Sequence, residues 1–210
     1  MDAPLEPLLA KLPGLFPASS PFSLTPSAKA FAPHSERFSG GHAARWFAAS
    51  DGEEGQRPFA DAHYLCSLAE ALEAMQIADE LRAQHEGYWV LPHWLAIASD
   101  GSGHHFMIDD ANGNVLSVAH DDEHVEVIAP SAAAWLGHLI DGHAESSVVW
   151  DKVFGLMDVA ELEQIHAAQA SANALRPPEL SSKQKLRGAL GAVLVAMIMG
   201  CWIWFLETHR

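Results

Sequence analysis

The sequence predicts an α+β fold, an antiparallel meander sheet flanked by helices, followed by one C-terminal transmembrane helix. Three observations carry this reading. A capped amphipathic helix opens at Ser67, short apolar runs between Trp94 and Ala129 are separated by glycine or acidic turns, and residues 188–206 are uncharged over 19 positions.

Residues 1–27 are rich in proline with serine and scattered apolar positions, and read as an N-terminal arm, either loose or draped over the core. They have no basic leader region and are broken by Pro4, Pro7, Pro13 and Pro17, unlike a secretory signal. Residues 28–145 form the expected α+β domain. It begins with apolar positions from Ala28 to Phe47 around a Gly40-Gly41 break, then the polar loop DGEEGQR at 51–57. Ser67 and Glu70 make a capping box for a helix running to about Glu86, with Leu68, Leu72, Met75, Ala78 and Leu81 as its apolar stripe. Four strands follow at Trp94–Ala98, Phe106–Ile108, Val115–Ala119 and Val125–Ala129. The turns between them hold DGSG, Asn112-Gly113 and the acidic run 121–123. Helices are expected to cover one face of this sheet. Pro130 and Ser131 open a helix through Trp135, Leu136, Leu139 and Ile140. Residues 146–175 read as a helical extension, with a pattern from Asp158 to Ala174 stopped by Pro177-Pro178.

Charge divides the chain sharply. Residues 1–175 hold 25 acidic and 7 basic side chains, a net −18, whereas the linker 176–187 holds Arg176, Lys183, Lys185 and Arg187 against Glu179. An acidic domain of this kind repels phosphate, so nucleic acid is not an expected partner. A basic or neutral protein partner is the natural complement, with solubility as the plainer explanation. Cys66 and Cys201 show neither a disulfide framework nor zinc spacing.

As a helix, residues 188–206 would span about 28 Å, the thickness of a bilayer core. Trp202 and Trp204 stand near the far end, where aromatic rings favour the interface. The basic collar places the N-terminal domain in the cytoplasm, as a single-pass membrane protein. Gly188, Ala192, Ala196 and Gly200 recur every four residues, a line of small side chains along which two such helices could pair as a homodimer.

Chemistry is sparsely signalled. No P-loop, GxSxG or dinucleotide glycine fingerprint occurs. The run His120–His124 (HDDEH) offers metal-type ligands but reads first as a solvated hairpin turn, and His104-His105 with Asp109-Asp110 is a weaker second cluster of that type. Cys66 precedes a helix, which could lower its pKa, but no base is identifiable nearby. No cofactor or metal is expected. Trp46, Trp89 and Trp94 lie near acids or turns and could anchor a protein partner, or be core.

The order of helix, apolar strand, DGSG turn, strand ending in Asp109-Asp110, glycine turn, strand VLSVAHD and helix APSAAAWLGHLI resembles the SUKH superfamily of cell-wall-assembly regulators and toxin-immunity proteins. Asp100, Gly101, Gly103, Asp109, Gly113, His120, Asp121 and Trp135 occupy the family's motif positions, and Ser39-Gly40-Gly41 stands where the family usually has an Asn-Gly-Gly-like turn. The resemblance implies a non-catalytic binding module. The expected function is that of a membrane-tethered immunity-type protein that blocks a toxin or effector. The alternatives are a scaffold or regulator of envelope assembly and, in another class, a metal-dependent enzyme using the His120–His124 acids. The candidate partner-binding set is Trp46, Trp89, Trp94, Asp100, Asp109, Asp110, His120, Asp121 and Asp122.

Overall fold

The Ser67–Glu70 capping box forms as the sequence implies. The Ser67 Oγ accepts the Glu70 N–H at 3.2 Å and the Glu70 carboxylate accepts the Ser67 N–H at 2.7 Å. Asp51, from the polar loop, takes a further unpaired donor of the same helix, the Leu68 N–H, at 2.7 Å. These contacts belong to a computed structural model that describes residues 4–25, 36–53, 57–119 and 123–175, with side chains to residue 172. The chain divides into two compact units, Met1–Gln164 and Ile165–Arg210. Of the second, the described part is the end of one helix.

The elements in order are α1 (Leu5–Leu9), a 3₁₀ turn (Leu12–Leu15), α2 (His42–Ala49), β1 (Tyr64–Leu65), α3 (Leu68–Gln84), β2 (Trp94–Ser99), β3 (His105–Asp109), β4 (Val115–Val118), β5 (Val125–Ala129), α4 (Ala132–Ala144), β6 (Val148–Asp151), β7 (Gly155–Asp158) and α5 (Val159–Leu175). Strands β1 to β5 form an antiparallel meander in sequence order, so the expected α+β class and the four expected strands are present. β5 is an outer strand of that sheet, and Val127 on it is 56% exposed.

Both faces of the sheet are covered, not one. Strand register puts Leu95, Ile108, Val115 and Ala129 in one cross-strand row, packed with α2 and α4 residues in the larger core. The neighbouring row of Ala96, Met107 and Leu116 packs with Ala78 of α3 and Val90 in a second cluster. This is why β2 and β3 read as nearly continuous apolar runs instead of alternating ones.

Three further differences have physical reasons. The N-terminal arm is ordered where described: Leu9, Leu12, Leu15, Phe16 and Phe22 are buried in the larger core. Prolines there stand at the starts of short helical turns, Pro4 as the N-cap of α1 and Pro13 in the first turn of the 3₁₀ helix, without preventing burial, so draping is the outcome. Residues 148–158 are a β-hairpin, where a helical extension was expected, and helix resumes only at Val159. Asp151 makes the hairpin turn by accepting the Val153 and Phe154 N–H groups, and Gly155 takes φ +75° against the backbone of Phe59. α3 stops at Gln84, two residues early, because His85 is extended and Gly87 takes φ +87°. The Pro177-Pro178 stop, the linker 176–187 and the apolar segment 188–206 lie outside the described residues.

Trp135 of α4 is the hub of the larger core. Its ring lies 5.6 Å from Phe59 and 5.5 Å from Phe106, both edge-on, and 6.1 Å from Trp46. Replacement Trp46→Ala removes one side of this cluster and is expected to cost about 3–5 kcal/mol. Urea unfolding of the variant checks this.

Candidate functional site

α2 has no side-chain cap of its own: Gly41 is its N-cap, at φ +76°. The cap comes from Asp110, 1% exposed at the end of β3. One carboxylate oxygen accepts the Gly40 and Gly41 N–H groups at 2.7 and 3.2 Å, and the other accepts Ala43 N–H at 2.8 Å. The approach is so close that a Cβ on Gly40 would stand 1.6 Å from the Asp110 carbonyl oxygen. Gly113, at φ +87°, similarly makes room for the His42 ring, which a Cβ would meet at 2.6 Å.

The other motif acids also hold backbone. Asp109 accepts the Ala111 N–H at 2.9 Å and the Asn112 side chain at 2.7 Å, with His93 Nε2 3.3 Å away. Asp100 accepts the Ser102 and His104 N–H groups at 2.7 and 3.1 Å and the Ser102 hydroxyl at 2.5 Å. Partial burial pushes the Asp100 carboxyl up, but these hydrogen bonds together outweigh it and hold the group below the ordinary carboxylate range. The acidic motif residues Asp100, Asp109 and Asp110 thus shape turns, and they are not gathered into a common surface.

Trp46, read from sequence as a potential anchor, is a core residue at 1% exposure, because α2 lies flat on the sheet under the Asp110 cap. Trp89 and Trp94 are half-buried and come together against the second cluster, where Tyr88 stacks obliquely on Trp89 at 4.7 Å. Arg37 pins their loop by donating to the Pro92 carbonyl and, through both terminal nitrogens, to Asp79 at 2.6 and 2.8 Å. His120, Asp121 and Asp122 lie outside the described residues. Among the described residues no group of three or more His, Cys, Asp or Glu could hold a metal ion. The His104-His105 cluster does not converge with Asp109-Asp110, since β3 separates His105 from Asp109 by about 13 Å. The buried Cys66 thiol is pushed up to about 12 by burial and then by Glu70, the opposite of activation.

A different group of acids does converge. A cavity of about 460 Å³ opens between β5, α4 and the β6–β7 hairpin. Its walls carry Asp61, Glu126, Asp158 and Glu161, and among the described residues neither Lys nor Arg lines it. The two imidazoles are His63 and His138, the latter 3.7 Å from Asp158. Phe106, Trp135, Leu139, Val148, Leu156 and Met157 supply apolar wall. Asp61 reaches the cavity from a tight turn in which both central residues, Asp61 and Ala62, are left-handed (φ 48° and 64°), closed by His63 N–H donating to the Ala60 carbonyl at 2.8 Å. The hairpin holds that turn: Asp61 and Ala62 N–H groups donate to Leu156 and Phe154 carbonyls. Burial first, and then Glu161 and Asp158, push the Asp61 carboxyl up to about 6, with His138 opposing.

Sequence reading missed this site. Its acids come from a turn, an outer strand, the end of a hairpin and the first turn of α5, with no shared spacing. The one available signal was the overall acidic excess. Residues 41–138 match the model of the SMI1 / KNR4 family (SUKH-1), which supports the SUKH superfamily for this part of the chain. No curated protein matches the chain.

Two outcomes follow. Gly40→Ala must displace the Asp110 segment and is expected to cost at least about 3 kcal/mol in chemical denaturation. Asp61 has a folded pKa above its unfolded value, so its ionisation opposes folding as pH rises from about 4 to about 6. Asp61→Asn, which tolerates the left-handed backbone, should therefore gain on the order of 2 kcal/mol at pH 7 and progressively less toward pH 4, measured by thermal melts across that range.

Proposed function

We propose, taking residues 41–138 as a SUKH-type domain, that the chain is a membrane-tethered, non-catalytic protein-binding module that occludes a basic toxin or effector in the manner of an immunity protein. The observation that supports this reading most directly is the cavity wall with four carboxylates and, among the described residues, neither Lys nor Arg, set in a part of the chain with net charge −18. Charge of one sign, focused by apolar walls, accelerates encounter with a partner of the other sign. The carboxylates of Asp100, Asp109 and Asp110 are occupied in turn and helix capping, which favours recognition by surfaces elsewhere.

Tethering is argued from residues 188–206 and the collar Lys183, Lys185 and Arg187. Among the described residues no helix is long and apolar enough to cross a membrane, and this segment lies outside them. A single anchor with a cytoplasmic domain would concentrate the binding module where an incoming partner arrives. The line Gly188, Ala192, Ala196, Gly200 would let two anchors pair.

Crosslinking of the full chain in its own membrane, followed by partner identification, tests the reading. A basic protein should be captured, several-fold less efficiently when salt rises from about 0.05 to about 0.5 M. A toxin or secreted effector supports immunity, and an envelope-synthesis protein moves the role to regulation of envelope assembly. Recovery of abundant housekeeping proteins alone would sink the binding reading. Truncation before Gly188 should release the chain from carbonate-washed membranes, and retention of the truncated chain would remove the tether.

A further inference from the structure

We infer that the cavity between β5, α4 and the β6–β7 hairpin is the receptor for a single lysine or arginine side chain inserted by the protein partner, with Asp61 and Glu161 as its counter-charges. This rests on the protein-binding reading above and names where such binding is anchored.

The cavity has the two halves such a side chain needs. Phe106, Trp135, Leu139 and Met157 line it with apolar surface, which suits the aliphatic stem of Lys or Arg. Asp61, Glu126, Asp158 and Glu161 add carboxylates, which suit the cationic head. Asp61 has no ion pair among the described residues, and Asp158 has only His138, at 3.7 Å.

His63 gives an independent indication of what is wanted. It is 8% exposed and its ring lines the cavity, stacked on Phe106 at 4.0 Å. Its Nδ1 lies 2.7 Å from the Asp61 carbonyl oxygen, an acceptor, so Nδ1 carries the proton. Burial holds the ring pKa down and keeps it neutral, so Nε2 presents a lone pair. That Nε2 is buried with no hydrogen-bond partner among the described residues. A buried acceptor without a donor is costly. Carboxylates and an imidazole lone pair together ask for a ligand that only donates and is positive, which describes an ammonium or a guanidinium. A metal ion would satisfy the same charges, but among the described residues no three His, Cys, Asp or Glu are placed to hold one.

Recognition should depend on pH. The charged or titratable groups facing Asp61 are Glu161 of α5, Asp158 at the end of β7, His138 of α4, Glu126 of β5 and the neutral His63 beside β1. A bound cation requires Asp61 ionised, so affinity should rise as pH passes through about 6.

The test is titration of the full ¹⁵N-labelled chain in mild detergent, read at the Trp135 indole N–H, with the tripeptide acetyl-Val-Arg-Val-amide as probe. Its citrulline counterpart serves as the neutral isostere and spermidine as a free amine. The arginine peptide should shift the signal saturably and the citrulline peptide should not. Affinity should fall at least about tenfold in Asp61→Asn/Glu161→Gln, and several-fold between pH 7 and pH 5. Glu161→Gln alone, at an exposed position, should also weaken binding, which covers the case where the double variant is unfolded by circular dichroism. Equal shifts from both peptides, no saturable shift, or binding of spermidine without the peptide would each overturn the inference. If crosslinking captures the partner equally well with Asp61→Asn/Glu161→Gln, the cavity assignment falls while the protein-binding reading stands. If no partner is captured by the unaltered chain, the reading itself falls.

Discussion

One buried carboxylate sets the geometry of the first unit. Asp110 leaves β3 and takes three backbone donors from the start of α2, 67 to 70 residues earlier in the chain. Each such charge-assisted bond is worth roughly 1.5–3 kcal/mol, and an unsatisfied Asp110 would cost more still in its buried place. The contact demands that residue 40 have no side chain, which is why a glycine pair precedes α2. Once α2 is fixed, Trp46 meets Trp135, Trp135 meets Phe59 and Phe106, and the position of α4 over the sheet follows. Trp135 is also part of the cavity wall, so the candidate site is built on the same chain of contacts.

The elements legible in the sequence were those whose causes are local. The capping box at Ser67–Glu70 and the meander from Trp94 to Ala129 depend on neighbours within a few residues, and both form as expected. The β6–β7 hairpin was not legible. Its strands are four residues each, and its position depends on pairing with residues 59–62, far away in the chain. β1, only two residues long, exists because Cys66 and its neighbours pair with β2. The second face of the sheet was read as open, because the α3 stripe could not show which surface it would cover.

The candidate site followed the same division. Motif residues found by pattern proved to be structural: Asp100, Asp109 and Asp110 close turns or cap a helix. In this chain these residues serve what the backbone needs in order to turn and to start a helix. The cavity acids are invisible to pattern because each is unremarkable where it stands; Glu161, for example, is an ordinary first-turn helix acid. Only the folded arrangement brings them together, with no Lys or Arg beside them among the described residues.

The cavity also divides along a boundary in the chain. Asp61, Glu126 and Trp135 lie inside the segment 41–138 that matches the family, whereas Asp158, Glu161, Leu156 and Met157 lie beyond it. One wall is thus built on the shared scaffold, and the facing wall is an appended hairpin and the opening turn of a helix. Among the described residues no hydrogen bond or ion pair joins the appended wall to the Asp110 cap, while Val148 and Leu156 of the hairpin are buried in the same core as Trp46 and Trp135. Within this one cavity the matched segment supplies Asp61 and Glu126 and the stretch beyond it supplies Asp158 and Glu161, so a substitution in either stretch alters the charge of the same wall.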